Sequence, residues 1–108
     1  MFFVIKSSTP NMDLAKLRAR RQARMQLALY KYTTADIKLD SYLQHTYNIT
    51  LREACKKIIY NATFSLNLQQ EIIVTITDPE LNHLARIITY GTGKLLGSQI
   101  IRQIFKNI

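Results

Sequence analysis

The alternation of apolar and polar positions is clearest in the last third of the chain. Ile72, Val74 and Ile76 take every second position between Glu71 and Thr77, with Ile73 and Thr75 between them. A period of two predicts a strand, and β-branched side chains suit its pleated surface. Asp78-Pro79 ends it, because proline has no N–H for a ladder but fits the first turn of a helix. Asp78 is placed to cap that helix, and Thr77 with Glu80 also has capping-box spacing. Leu81, Leu84, Ala85, Ile87 and Ile88 then fall on one helical stripe. Gly91 stands where a left-handed C-cap is wanted. Ser98 is a cap for a last helix whose stripe is Ile100, Ile101, Ile104, Phe105 and Ile108.

The first two thirds are read in the same way. Phe2 to Ile5 predict a short strand, and Ser7-Ser8-Thr9-Pro10-Asn11 a turn that leaves Asn11 as a helix cap. Residues 12–32 are mostly good helix formers. At about 100° per residue, Leu14, Leu17, Met25, Ala28 and Tyr32 share a face. Arg21 falls in the middle of that face and Arg18 at its edge. The expectation is that the C-terminal half docks on the core while the front half projects or meets a partner. In residues 33–48, Ile37, Leu39, Tyr42 and Leu43 are compatible with a short helix or an extended connection. Asp36 and Asp40 make this stretch acidic, a candidate to lie against a basic surface. Thr50-Leu51-Arg52-Glu53 has capping-box spacing and opens a helix with Leu51, Ala54, Cys55, Ile58 and Ile59 on one face. Arg52, Lys56 and Lys57 lie off that face, toward solvent. Phe64, Leu66 and Leu68 alternate with polar residues and predict a strand, joined through Gln69-Gln70 to the strand at Glu71. The rival reading extends the preceding helix to about Leu68.

Together these elements predict an α+β fold: a small antiparallel sheet from the Phe2, Phe64 and Ile73 strands, packed by three or four helices, with a long basic N-terminal helix. One domain is expected over residues 1–108, with residues 12–32 as the basic helix and residues 50–108 as the core. A chain of 108 residues suits one modest core, and 47% apolar residues suits a globular one. No run of about 18 apolar residues is present, so no membrane-spanning helix is expected. Residues 1–5 are too short for a signal-peptide core and lack a basic region before them.

Charge changes the picture more than composition does. The formal net charge is +8, and self-repulsion of that size favours an acidic or phosphate-rich neighbour. Lys16, Arg18, Arg20, Arg21 and Arg24 crowd one stretch with no carboxylate among them. They are the candidate anion- or partner-binding residues, since guanidinium groups grip carboxylates and phosphates in bidentate fashion.

Candidate chemistry is thin. Gly91-Thr92-Gly93-Lys94 resembles a phosphate loop, but Ile88 stands where its first glycine belongs and Leu95 follows the lysine. Glu80 and His83 have the spacing of paired metal ligands on a helix, yet a carboxylate-bridged site needs a second such pair and further glutamates. Cys55 lies on an apolar helix face and is expected to be a buried, inert thiol. His45 has no nucleophile at a recognisable spacing, and one cysteine with two separated histidines does not make a zinc pattern. Asn48-Ile49-Thr50 and Asn61-Ala62-Thr63 match the glycosylation pattern, which is short and common. No metal or cofactor is expected, no small-molecule substrate, and no enzymatic activity.

Asp78-Pro79-Glu80-Leu81, Ile87-Ile88-Thr89-Tyr90-Gly91 and Gly97-Ser98-Gln99-Ile100-Ile101 form a pattern that resembles small tailed-bacteriophage structural or assembly proteins. The resemblance covers roughly the last third of the chain, and no functional residue carries over with it. It implies a virion or assembly component, located in a virion or the host cytoplasm. The expected partner is an acidic protein subunit or nucleic acid, with a homo-oligomer if the last helix buries its stripe in a neighbouring copy. The competing expectation is a DNA- or RNA-binding regulator that uses the same arginines.

Overall fold

A computed structural model of the chain describes residues 1–5 and 11–106. Ser7, Ser8, Thr9 and Pro10 of the expected turn, and Ile108 of the expected last stripe, lie outside the described residues. The elements in order are β1 (Phe2–Ile5), α1 (Met12–Leu29), α2 (Thr34–Tyr47), α3 (Leu51–Tyr60), β2 (Thr63–Leu66), β3 (Ile72–Thr75), α4 (Pro79–Tyr90) and α5 (Ile100–Lys106). The architecture is α+β, with five helices among the described residues where three or four were expected.

β3 is the centre of an antiparallel sheet of order β1-β3-β2. Phe3 pairs with Val74 and Ile5 with Ile72, and from the other side Phe64 pairs with Val74 and Leu66 with Ile72. These rungs face the helices, which is why Val74 and Ile72 are buried. Phe3 packs on Phe105 of α5, with ring centroids 5.0 Å apart. The opposite face carries Phe2, Val4, Ile73, Thr75, Thr63 and Ser65, and Phe2 and Val4 are exposed. The β2–β3 hairpin lacks an Asn-Gly pair but has an equivalent device. The Asn67 side chain accepts from the amides of Gln69 and Glu71 at 3.0 and 2.8 Å, and Gln70 takes a positive φ of 61°. An Asx turn of this kind fixes the reversal. Residues 62–70 are therefore strand and turn. Leu68 sits at the tip and not in the strand, fully in solvent.

Each helix starts where a short polar side chain can accept from its exposed amides. Asn11 accepts from Leu14, Thr50 from Glu53 and Asp78 from Leu81. Thr33 and Asp36 form a reciprocal capping box at the start of α2. That box settles the open reading of residues 33–48 in favour of a helix, which ends at Asn48 in the left-handed conformation. Its acidic residues turn inward and not toward a basic surface. Asp36 is buried, and Asp40 accepts from the Leu51 amide at 2.7 Å, tying α2 to the start of α3.

Two expectations about the helices are corrected. The buried stripe of α1 is Ala15, Ala19, Ala23 and Leu27, not Leu14, Leu17, Met25 and Ala28, which are exposed. The stripe runs the length of the helix, so its front half does not project. Alanine at every fourth position removes side-chain bulk and lets α1 lie close against α3 and α5. The second correction concerns α5. Ile100, Ile101, Ile104 and Phe105 are buried in the chain's own core rather than held for a neighbour.

The α4–α5 connection is tightly folded. The Gly91 amide donates to the Ile87 carbonyl at 2.7 Å, and its φ of +80° with ψ of −163° is positive but outside the left-handed helical well that was expected. A Cβ at Gly91 would run into the Leu95 carbonyl, and one at Gly97 into the Thr89 carbonyl. The Ser98 amide donates to Ile88 at 2.6 Å, and the Ser98 hydroxyl accepts from the Ile100 amide at 3.2 Å.

Candidate partner-binding surface on helix α1

The five cations singled out in α1 divide into two kinds. Lys16, Arg18, Arg21 and Arg24 are exposed, whereas Arg20 is half-buried. The Arg20 guanidinium lies 5.4 Å from the centroid of the Tyr60 ring and donates through Nη2 to the Tyr60 carbonyl at 3.3 Å. That carbonyl belongs to the last turn of α3, where the orphan C=O groups carry negative partial charge and favour a cation. Arg20 is thus a tie between α1 and α3, and its Nε is buried without a partner.

The exposed cations do not share one face. Arg18 and Arg21 stand opposite the alanine stripe, together with Leu14, Leu17 and Met25. These three apolar side chains and Leu29 are 36%, 52%, 45% and 72% exposed, in the order Leu14, Leu17, Met25, Leu29. Arg24 lies on the flank toward α3. There it meets two cations that were read only as solvated, Arg52 and Lys56. Arg24, Leu27, Ala28, Arg52, Glu53 and Lys56 line an open groove of about 410 Å³ between the two helices. The sequence carries the i, i+4 spacing of Arg52 and Lys56 and the alanine period of α1, but no local pattern sets the two side by side.

Two guanidinium groups of α1 and α3 lie over aromatic rings. The Arg52 guanidinium carbon sits 5.0 Å from the centroid of the Tyr32 ring, a cation–π contact. Tyr30 meets Tyr32 edge-on at 6.0 Å. Burial pushes the Tyr32 phenol up to about 12, against the opposing pull of the Arg52 charge. Neither Arg24 nor Lys56 has a hydrogen-bond or ion-pair partner among the described residues, so both remain available to an anion at the groove.

The remaining polar groups are structural in their contacts. Burial raises the Asp36 carboxyl, but hydrogen bonds from Ser98, the Thr33 amide and Tyr30 outweigh it and hold the group below the usual carboxylate range. Cys55 is fully buried, and burial pushes its thiol well up. His83 pairs through Nε2 with the Tyr47 hydroxyl at 3.0 Å, and His45 Nδ1 lies 2.7 Å from the Ser41 carbonyl. Among the described residues no group of three or more His, Cys, Asp or Glu side chains is placed to hold a metal ion. No described helix is long and apolar enough to cross a membrane. A second, larger hollow of about 620 Å³ lies between α2 and the α4–α5 connection, bounded by Ile37, Tyr42 and Leu95 with Lys38 and Lys94. No family model, curated protein or solved structure matches the chain.

Proposed function

We propose that this chain is a non-enzymatic structural or assembly protein, a small virion or connector component, that docks an acidic protein partner through α1. The observation that carries the reading is the outer face of that helix, where Leu14, Leu17 and Met25 are exposed beside Arg18 and Arg21. Single exposed leucines are ordinary on a protein surface. Several on one face, mixed with arginine and methionine, match the composition of protein interface cores. A phosphate backbone needs the cations and gains nothing from the leucines. The resemblance of residues 78–101 to tailed-phage proteins supplies the expected setting. The second reading, a nucleic-acid binder, is favoured by the net charge of +8.

Two experiments separate them. Tagged chain returned to the cells that make it is expected to co-sediment with a large assembly after nuclease treatment. The variant with Leu17→Glu and Met25→Glu is expected to stay in the low-mass fraction while melting at an unchanged temperature. In parallel, binding to mixed-sequence duplex and single-stranded DNA is followed through a salt titration. Binding that persists at about 150 mM salt, and is lost when Arg18, Arg21 and Arg24 become alanine, would transfer the function to nucleic acid.

A further inference from the structure

We infer that the groove between α1 and α3 seats an acidic peptide segment that carries an apolar side chain, an inference that rests on the acidic-partner reading of α1 and assigns part of that partner's chemistry. Three cations from two helices converge on one concavity, Arg24 from α1 and Arg52 and Lys56 from α3, and its floor is Leu27 and Ala28. Three cations against the single carboxylate of Glu53 leave the concavity positively charged, and an anion seated among them relieves their repulsion. The apolar floor asks for something besides charge, and an aliphatic side chain between two carboxylates supplies it.

The lining of the groove decides against a nucleic-acid strand. Sequence-tolerant strand binding depends on bases stacking on open aromatic faces. None of the residues that line the groove is aromatic, and the nearby Tyr32 ring already carries the Arg52 guanidinium. Glu53 on the groove wall repels any anion, so it opposes a phosphodiester strand, charged at each linkage, more than a peptide that can set an uncharged residue, an amide or a cation opposite it. A second copy of this chain is a poor occupant. It carries a net charge of +8. Three of its carboxylates are engaged inside the fold: Asp36 in its buried network, Asp40 on the Leu51 amide and Asp78 on the Leu81 amide.

The test is fluorescence anisotropy with two labelled probes, a twelve-residue peptide repeating Glu-Glu-Leu and an oligothymidine of twelve nucleotides. Wild type, Arg24→Glu with Lys56→Glu, Glu53→Gln, and Leu17→Ala with Met25→Ala are compared at about 150 mM salt. The peptide is expected to bind wild type and to lose about tenfold or more on the groove charge reversal. Glu53→Gln is expected to tighten it, and the Leu17/Met25 variant to leave it unchanged. The reversed residues are exposed and Glu53→Gln moves affinity the other way, so loss of fold is separable from loss of the site. Oligothymidine binding more tightly than the peptide, with loss in the groove variant, would overturn the inference and the acidic-partner reading together. Peptide binding that survives the groove reversal but falls in the Leu17/Met25 variant would overturn the groove alone and leave α1 docking in place. Absence of peptide binding up to about 1 mM would also overturn it.

Discussion

Ala19→Leu tests how α1 is seated. Ala19 has no solvent exposure, and it lies mid-stripe where α1 runs against α3 and α5. Leucine would add three carbons where there is no space. In a roomy site each buried carbon would stabilise by about 0.8 kcal/mol. In a packed one, overfilling costs about 1–3 kcal/mol through shifted backbone and off-rotamer side chains. Leu17→Ala is the partner measurement. Leu17 is 52% exposed, so at most about half of the 1.5–3 kcal/mol assigned to a fully buried leucine is at stake, and alanine's helix propensity offsets some of it. The expected loss is below about 1 kcal/mol. Urea unfolding followed by far-UV circular dichroism gives both values, and thermal melting should repeat them at roughly 4–8 °C per kcal/mol. If the Leu14, Leu17 and Met25 face were the docked one, the order would reverse: Leu17→Ala would cost about 2–5 kcal/mol and Ala19→Leu almost nothing. That reversed order would refute the packing described and, with it, the exposed face on which the proposed function rests.

Other consequences follow from single residues. The carboxyl of Asp36 is depressed in the folded chain, so its stabilisation is present above the ordinary unfolded value near 3.9 and is lost as pH falls through its lower folded value. Asp36→Asn should flatten the acid limb of a urea-midpoint series, and an unchanged slope would show that another carboxylate controls it. The sign reverses for Tyr32, whose folded phenol titrates at about 12; its contribution is present below the unfolded value near 10 and lost as pH rises through about 12. Tyr32→Phe should remove a late-titrating phenol from the absorbance titration near 295 nm. Gly97→Ala drives a Cβ into the Thr89 carbonyl, while one at Gly93 meets nothing within 4 Å. The first should cost more than about 2 kcal/mol, and the second should be neutral or stabilise by up to about 1 kcal/mol. Cys55 should resist an aromatic disulfide reagent in the native protein and react at once in denaturant, because it is fully buried and its thiol is raised; fast native labelling would contradict its placement.

Much of the fold was legible because its signals are local. Asp78-Pro79 stops β3 and starts α4 with two adjacent residues, and the structure uses both. The i, i+4 spacing of Leu51, Cys55 and Ile59 and the period of Ile72, Val74 and Ile76 each point to the face that is buried. The β2–β3 turn was harder, since its reversal depends on the Asn67 side chain and not on a glycine. The start of α2 is written in Thr33 and Asp36, but Asp36 resembles a surface charge until Tyr30 and the distant Ser98 are brought to it by the fold. No local pattern carries that convergence, just as none brings Arg52 and Lys56 beside Arg24.

Helix α1 misled for a reason that bears on function. Hydrophobic pattern weighs leucine and methionine above alanine, so the strongest stripe in the sequence is not the buried one. Packing obeys volume as well as hydrophobicity. Against α3 and α5, close helix approach selects Ala15, Ala19 and Ala23, and the larger side chains are left on the far side. A helix held by three alanines and Leu27 needs no further leucine for its own docking. Leu14, Leu17 and Met25 are therefore not explained by the stability of this chain, and polar residues there would be neutral or better for an isolated protein. A fold that tolerates their replacement while assembly is lost would tie the exposed face to a partner rather than to folding.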